Sequence, residues 1–104
     1  MIDAWLDYAS AELRADKEVV MAAVRANGSA LEFVSDELRN DFEVVLVAVK
    51  QNGDALEFAS DELKGNRDVV IAAAMDTAYS LKYAHESLRY DKEIIDYAIG
   101  LKND

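Results

Sequence analysis

Hydrophobic positions along this chain come in short bursts separated by polar turns. Residues 42–51 read Phe-Glu-Val-Val-Leu-Val-Ala-Val-Lys-Gln, and comparable runs sit at 17–26, 67–76 and 92–101. Each run follows Asp16, Asp41, Asn66 or Asp91. These are residue types whose side-chain oxygen accepts a backbone N–H that a helix start leaves unpaired. Acids follow at Glu18, Glu43, Asp68 and Glu93, and Arg25 and Lys50 fall in the last turn, which suits both ends of the helix dipole. The pattern predicts a helix over 42–52 and its equivalents, with Gly28 and Gly53 in the left-handed position that commonly follows a helix. A second apolar set, Leu31, Val34 and Leu38, is spaced i, i+3, i+7, which is one helical face and predicts a helix over 29–38. A strand reading of Val44–Val49 before Asn52-Gly53 competes, because β-branched runs ending in Asn-Gly signal hairpins. Against it stand the Ala-rich counterparts Ala22-Ala23 and Ala72-Ala73-Ala74, the caps at both ends, and the helical spacing of the partner segment.

The bursts repeat with a fixed period of 25, in frames 4–28, 29–53, 54–78 and 79–103. Leu6, Leu31, Leu56 and Leu81 form one column, and Leu13, Leu38, Leu63 and Leu88 another. Aromatics align at Tyr8, Phe33, Phe58 and Tyr83, and basic residues at Arg14, Arg39, Lys64 and Arg89. Helices of about ten residues are marginal alone, so neighbouring units must hold one another, as in a solenoid. The predicted fold is all-α: one domain over 1–104, a short α-solenoid of four 25-residue helix-turn-helix repeats with about eight short helices. The second helix of each unit, the more apolar, is expected to form the buried layer. The first, more charged, is expected to face outward.

The stretch from Glu37-Leu38-Arg39-Asn40-Asp41 through Val44-Val45-Leu46-Val47-Ala48-Val49-Lys50-Gln51-Asn52-Gly53 to Ala55-Leu56-Glu57-Phe58-Ala59-Ser60 resembles the helical repeat family catalogued as domain of unknown function 4116. The resemblance runs over nearly the whole chain and recurs in register. It implies an all-α repeat array and no known active site. The later copies depart from it, with Thr77-Ala78 and then Lys102-Asn103 where Asn-Gly stands earlier.

The end units differ from the middle. Trp5 stands in the column of Ala30, Ala55 and Ser80 and is expected to cover the N-terminal end of the core. Asp96 replaces Met21, Leu46 and Ile71, which is expected to turn that column toward solvent. Gly100 replaces Arg25, Lys50 and Met75 and is expected to end the last helix. Atypical end units are what a solenoid requires, and together they predict a complete small protein. Tyr79, Tyr83, Tyr90 and Tyr97 crowd the last unit. Tyr83 belongs to the core column, while Tyr79 and Tyr90 are expected at the surface. They either cap the terminal repeat or form a partner or self-association surface, where Tyr is favoured.

Charge sharpens the picture. The net charge is −10, and the two central units carry eleven acids against four bases. Such a balance argues against direct binding to nucleic acid, whose affinity comes from Lys and Arg, and equally against anionic membranes. No apolar run approaches the ~18 residues of a membrane span, and the acidic start lacks a signal-peptide shape. With no Cys, a cytoplasmic setting is expected, delivery into a host cell being left open. Some acids have folding roles as caps; Asp3 and Asp54 are expected to cap the first helices. Asp36–Arg39, Asp61–Lys64 and Glu86–Arg89 are expected i, i+3 pairs. Glu32–Asp36 and Glu57–Asp61 are like-charged i, i+4 neighbours without a stabilising reason, and stacking places them in an acidic ridge. That ridge is either a solvated, solubilising face or a docking site for a basic protein patch.

Catalytic chemistry finds no support. His85 is the only His, and it replaces Ser10, Ser35 and Ser60 in a structural column. No phosphate-binding loop, dinucleotide glycine pattern, calcium loop or nucleophile elbow is present. No catalytic residue, metal or cofactor is expected. The predicted function is non-catalytic binding of a protein partner with a basic patch through Glu32, Asp36, Glu57 and Asp61, assisted by Tyr79 and Tyr90. Two alternatives stand beside it: an acidic nucleic-acid mimic that inhibits a nucleic-acid-binding protein, and a structural unit that self-associates through its Tyr-rich end.

Overall fold

A computed structural model describes residues 11–100, and among these the backbone forms helices and turns without a strand. The elements in order are α1 (Ala11–Arg14), α2 (Lys17–Ala26), η1 (Gly28–Phe33), α3 (Asp36–Arg39), α4 (Phe42–Gln51), η2 (Gly53–Phe58), α5 (Asp61–Lys64), α6 (Arg67–Asp76), η3 (Ala78–Tyr83), α7 (Glu86–Arg89) and α8 (Lys92–Ala98). The η elements are 3-10 helices. The long helices α2, α4, α6 and α8 pack side by side in chain order, and η1, η2 and η3 stack in a parallel row against them. The stack measures 41 × 23 × 19 Å. Between the rows lie Val20, Val24, Leu31, Val44, Val45, Val49, Leu56, Val69, Val70 and Ile94, all fully buried. Burying a side chain of this size contributes about 1.5–3 kcal/mol, so the continuous row of them is what holds helices too short to stand alone.

The long helices begin as the sequence predicts. Asp16 accepts from the Glu18 and Val19 N–H groups at 3.0 and 3.2 Å. Asp41 accepts from Val44 (3.2 Å) and Asn66 from Val69 (3.1 Å), and Asp91 from Glu93 and Ile94 at 3.0 and 3.2 Å. The helix expected over 29–38 is instead divided into a 3-10 piece and a single α-turn. Val34 and Ser35 between them are extended, with ψ 151 and 155. Two interactions account for the break. The Ser35 hydroxyl caps a fresh helix start by accepting from Leu38 N–H at 3.3 Å. The Ser35 N–H leaves its own unit and donates to the Arg14 carbonyl at 3.2 Å. The same rung recurs from Ser60 to Arg39 (3.0 Å) and from His85 to Lys64 (2.9 Å). Because the rung is made by the backbone, His85 keeps it, and its Nδ1 accepts from Ser87 N–H at 3.1 Å in place of the serine cap.

The two boundary glycines have a different reason from the one expected. Neither has a positive φ; among the described residues only Gly100 does, at 84. Asn27 and Asn52 end the long helices in extended conformation and cap the following 3-10 helix, so no left-handed residue is needed. A Cβ on Gly28 would overlap the Ala48 carbonyl oxygen of the next unit's long helix, and one on Gly53 the Ala73 carbonyl oxygen. The Gly28 N–H donates to Gln51 Oε1 at 2.5 Å and the Gly53 N–H to Asp76 Oδ2 at 2.8 Å. Close approach of successive units is therefore the constraint. At the third boundary Ala78 stands in the glycine column, and α8 ends at Ala98, three residues before its counterparts. Gly100, left-handed just past that end, fits the expected helix stop.

Two other expectations change. Asp54 is exposed on η2, and Asn52 caps that element by accepting from Asp54 N–H. Asp96 is mostly covered, with its side chain 18% exposed and held by Lys92 at 3.1 Å. It does not turn to solvent, and the exposed Lys92 reaches it from the preceding turn. Trp5 and Asp3 lie outside the described residues.

Gly53→Ala is expected to lower the unfolding free energy by about 1–3 kcal/mol, the usual range for overpacking, as read from urea denaturation followed by circular dichroism. Ala78→Gly at the third boundary is expected to cost less than about 1 kcal/mol. Equal losses at the two positions would refute the close-approach explanation.

Candidate functional site

Cations at the first residue of the long helices tie one unit to the next. Lys17 Nζ lies 3.1 Å from Asp41 and 2.9 Å from Glu43. Arg67 forks onto both oxygens of Asp91 at 3.0 Å and also reaches Glu93. Each clamp joins a helix start to the cap and first turn of the following helix. Partly exposed ion pairs are individually weak, but the planar fork of Arg67 gives the two-point geometry that strengthens such a bond. That bond, with the Ile94 N–H, holds the Asp91 carboxyl at about 2, below its ordinary 3.8. For Asp41, partial burial pushes upward and is outweighed by Lys17 and the Val44 N–H, so its carboxyl also sits below the usual range. Lys17, bonded to Glu43 and Asp41, is raised.

The i, i+3 pairs expected on the short helices do not form. Asp36–Arg39, Asp61–Lys64 and Glu86–Arg89 are absent from the ion pairs of the described residues. Arg39 instead donates through Nε to the Val34 carbonyl at 2.9 Å and through Nη2 to the Glu32 carbonyl at 2.6 Å. Arg89 donates to the Ala84 carbonyl at 3.1 Å. The extended break after each 3-10 helix frees carbonyls that a helix would have used, and a guanidinium with several donors takes them.

Glu32 and Glu57 therefore sit on the stacked η1 and η2, with Asp36 and Asp61 at the starts of α3 and α5. All four are exposed and none is ion-paired within the described residues. Glu32 and Asp36 border one shallow recess together with Arg14 and Arg39. Asp61 borders the corresponding recess two units on, with Lys64, His85 and Arg89. The acidic face is thus interleaved with a basic column. Tyr79 and Tyr90 reach solvent, 78% and 74% exposed, whereas Tyr83 packs against the core with Lys82 over its ring at 5.1 Å.

The structural use of Gln51 and Asp76 as acceptors for the glycine amides escapes a reading by local periodicity. Their signal is faint: the two share one column, and both end in an acceptor oxygen. The clamp column was visible as Lys17, Phe42, Arg67 and Lys92, with Phe42 as its exception. Among the described residues no helix is long and apolar enough to cross a membrane.

The family model described as "Domain of unknown function (DUF4116)" matches residues 4–39 and 16–64, more than half of the chain, and the chain belongs to that family. No curated protein and no solved structure matches it.

The clamp carries a pH signature. A carboxyl held low in the folded state adds stability that is present above its unfolded value and lost as pH falls through its folded value. Thermal melts of wild type and Arg67→Gln should differ most near neutral pH, and the gap should close between about pH 4 and 2 as Asp91 protonates. A gap that persists unchanged at pH 2 would place the effect of Arg67 elsewhere.

Proposed function

We propose that this member of the family is a non-catalytic binding module whose partner is a protein with a basic patch, engaged through Glu32, Asp36, Glu57 and Asp61. The observation that carries the reading is where neutralisation happens. Every ion pair among the described residues lies on the long helices and their caps. The four acids of the 3-10 and short-helix row are left exposed, although Arg39 is near enough to donate to the Glu32 carbonyl. Exposed charges of one sign raise the encounter rate with an opposite surface and select against like-charged partners. The central position of these acids, on two units with equivalent geometry, supports a repeated contact in which each unit offers the same pair. Tyr79 and Tyr90 add apolar area with a polar tip at the next unit, a composition favoured at interfaces. A cytoplasmic setting, where basic proteins are abundant, accords with the absence of Cys.

Reversing all four acids to Lys is the direct test. Affinity capture from native lysate with wild type and with the fourfold variant, compared by mass spectrometry, should show the partner lost or reduced at least about tenfold, a difference of about 1.4 kcal/mol. Helical content should be unchanged, since none of the four side chains has a structural bond. Capture that is insensitive to the reversal, with the fold intact, would eliminate the acidic face as the docking site.

A further inference from the structure

The grooves between successive long helices are equivalent by position and unequal in chemistry. Between α2 and α4 the groove is lined by Lys17, Glu18, Met21, Arg25 and Glu43 and is spanned by the Lys17 clamp. Between α6 and α8 the Arg67 clamp crosses in the same way. The central groove, between α4 and α6, has no clamp. It is an open trough of about 660 Å³ whose apolar lining is Phe42, Leu46, Ile71, Ala72 and Met75, with Lys50, Asp68 and Asp76 as its charged lining.

Two substitutions against the repeat make it so. Phe42 stands where the other units have Lys17, Arg67 and Lys92, and Met75 stands where they have Arg25 and Lys50, Gly100 aside. Both place a large apolar side chain in solvent, 43% and 48% exposed. Neither is needed by the core, which is filled by the opposite face of the same helices. Both fall on one groove. A third feature follows from the first. Asp68 is the counterpart of Glu43 and Glu93, each of which is bound by the cation of the preceding unit. Phe42 cannot supply that cation, so Asp68, which lines the groove, is exposed and has no ion pair among the described residues.

We propose that the α4–α6 groove is a docking site for an amphipathic helical segment of a partner protein, seating bulky apolar side chains on Phe42, Leu46, Ile71 and Met75 and placing a Lys or Arg against Asp68. The partner's cation completes the clamp that the repeat leaves open at this unit. The length fits: Phe42, Leu46 and Lys50 are successive at i, i+4, i+8, a span of about 12 Å at the rise of an α-helix. That accommodates about two turns of a helix carrying anchors three or four residues apart. The site lies on the long helices, apart from the acids of the 3-10 row, and does not depend on the acidic-face reading.

The probe is a synthetic Ala/Lys helix of about fifteen residues, near the length at which such peptides become helical, with three Leu on one face. Its controls carry the same Leu scattered, or Glu in place of Lys. Nitrogen–proton shift mapping of the whole protein should move Phe42, Leu46, Asp68, Ile71 and Met75 with the Leu-faced Lys peptide. Each control should bind at least about tenfold more weakly, the scale of a lost anchor. Phe42→Lys, which restores the repeat's own residue and should keep the fold, is expected to weaken binding by a similar factor. Asp68→Asn should weaken it severalfold. Equal affinity for Phe42→Lys, shifts confined to the Glu32, Asp36, Glu57 and Asp61 face, or no binding at millimolar peptide would overturn the proposal. A wild-type dimer that Phe42→Lys makes monomeric would overturn it too, by assigning the groove to a second copy of the chain. Reversal of the four acids should leave the shifts on the groove in place, which separates this site from the acidic face.

Discussion

The amides of Ser35, Ser60 and His85 reach back one unit for a carbonyl, and those of Gly28 and Gly53 reach forward one unit for a side-chain oxygen. A buried backbone N–H without a partner is costly, so these bonds fix each unit to both neighbours at a set distance. The rest of the architecture follows from that distance. It brings the long helices close enough that only glycine fits at two boundaries. It lets a cation at one helix start reach the cap of the next. It also makes the core one continuous row of Val and Leu rather than four small clusters.

Much of this was legible in the chain. The period, the cap residues, the extent of 42–51 and the buried columns are local patterns, and local patterns survive folding when neighbours support them. The division of the 29–38 segment was not read, because Leu31, Val34 and Leu38 keep a helical spacing across a break that occurs between them. A trace of it was present. Ser35 and Ser60, each followed by Asp-Glu-Leu, are helix-start signals inside the expected helix. Gly28 and Gly53 were marked as special for the wrong reason, since sequence alone does not distinguish a need for positive φ from a need for close approach. The ion pairs were misassigned for a related cause. An i, i+3 rule assumes an unbroken helix, whereas Arg39 and Arg89 take carbonyls freed by the break in their own units, and the Lys17 and Arg67 clamps reach a whole unit away.

The surface divides along the same lines. Charge on the long-helix side is largely used between units, while the acids of the 3-10 row are not. Glu32, Asp36, Glu57 and Asp61 lie exposed along that row, and the interleaved Arg39, Lys64 and Arg89 were expected only as local partners. A repeat also offers an internal control that single domains lack: any residue can be compared with its equivalents in the other units. Phe42 and Met75 stand out only on that comparison.

The backbone rung at Ser35, Ser60 and His85 spans 21 residues, and the glycine bonds span 23 in the other direction. Together they make chain length a quantised variable. A one-residue insertion inside a unit would shift one partner of each such bond that spans it while leaving the other in place, whereas a whole unit could be duplicated or removed with each new junction matching an old one. The unbroken 25-residue period is thus a consequence of hydrogen-bond registry, and an array of this kind can lengthen or shorten only in whole units.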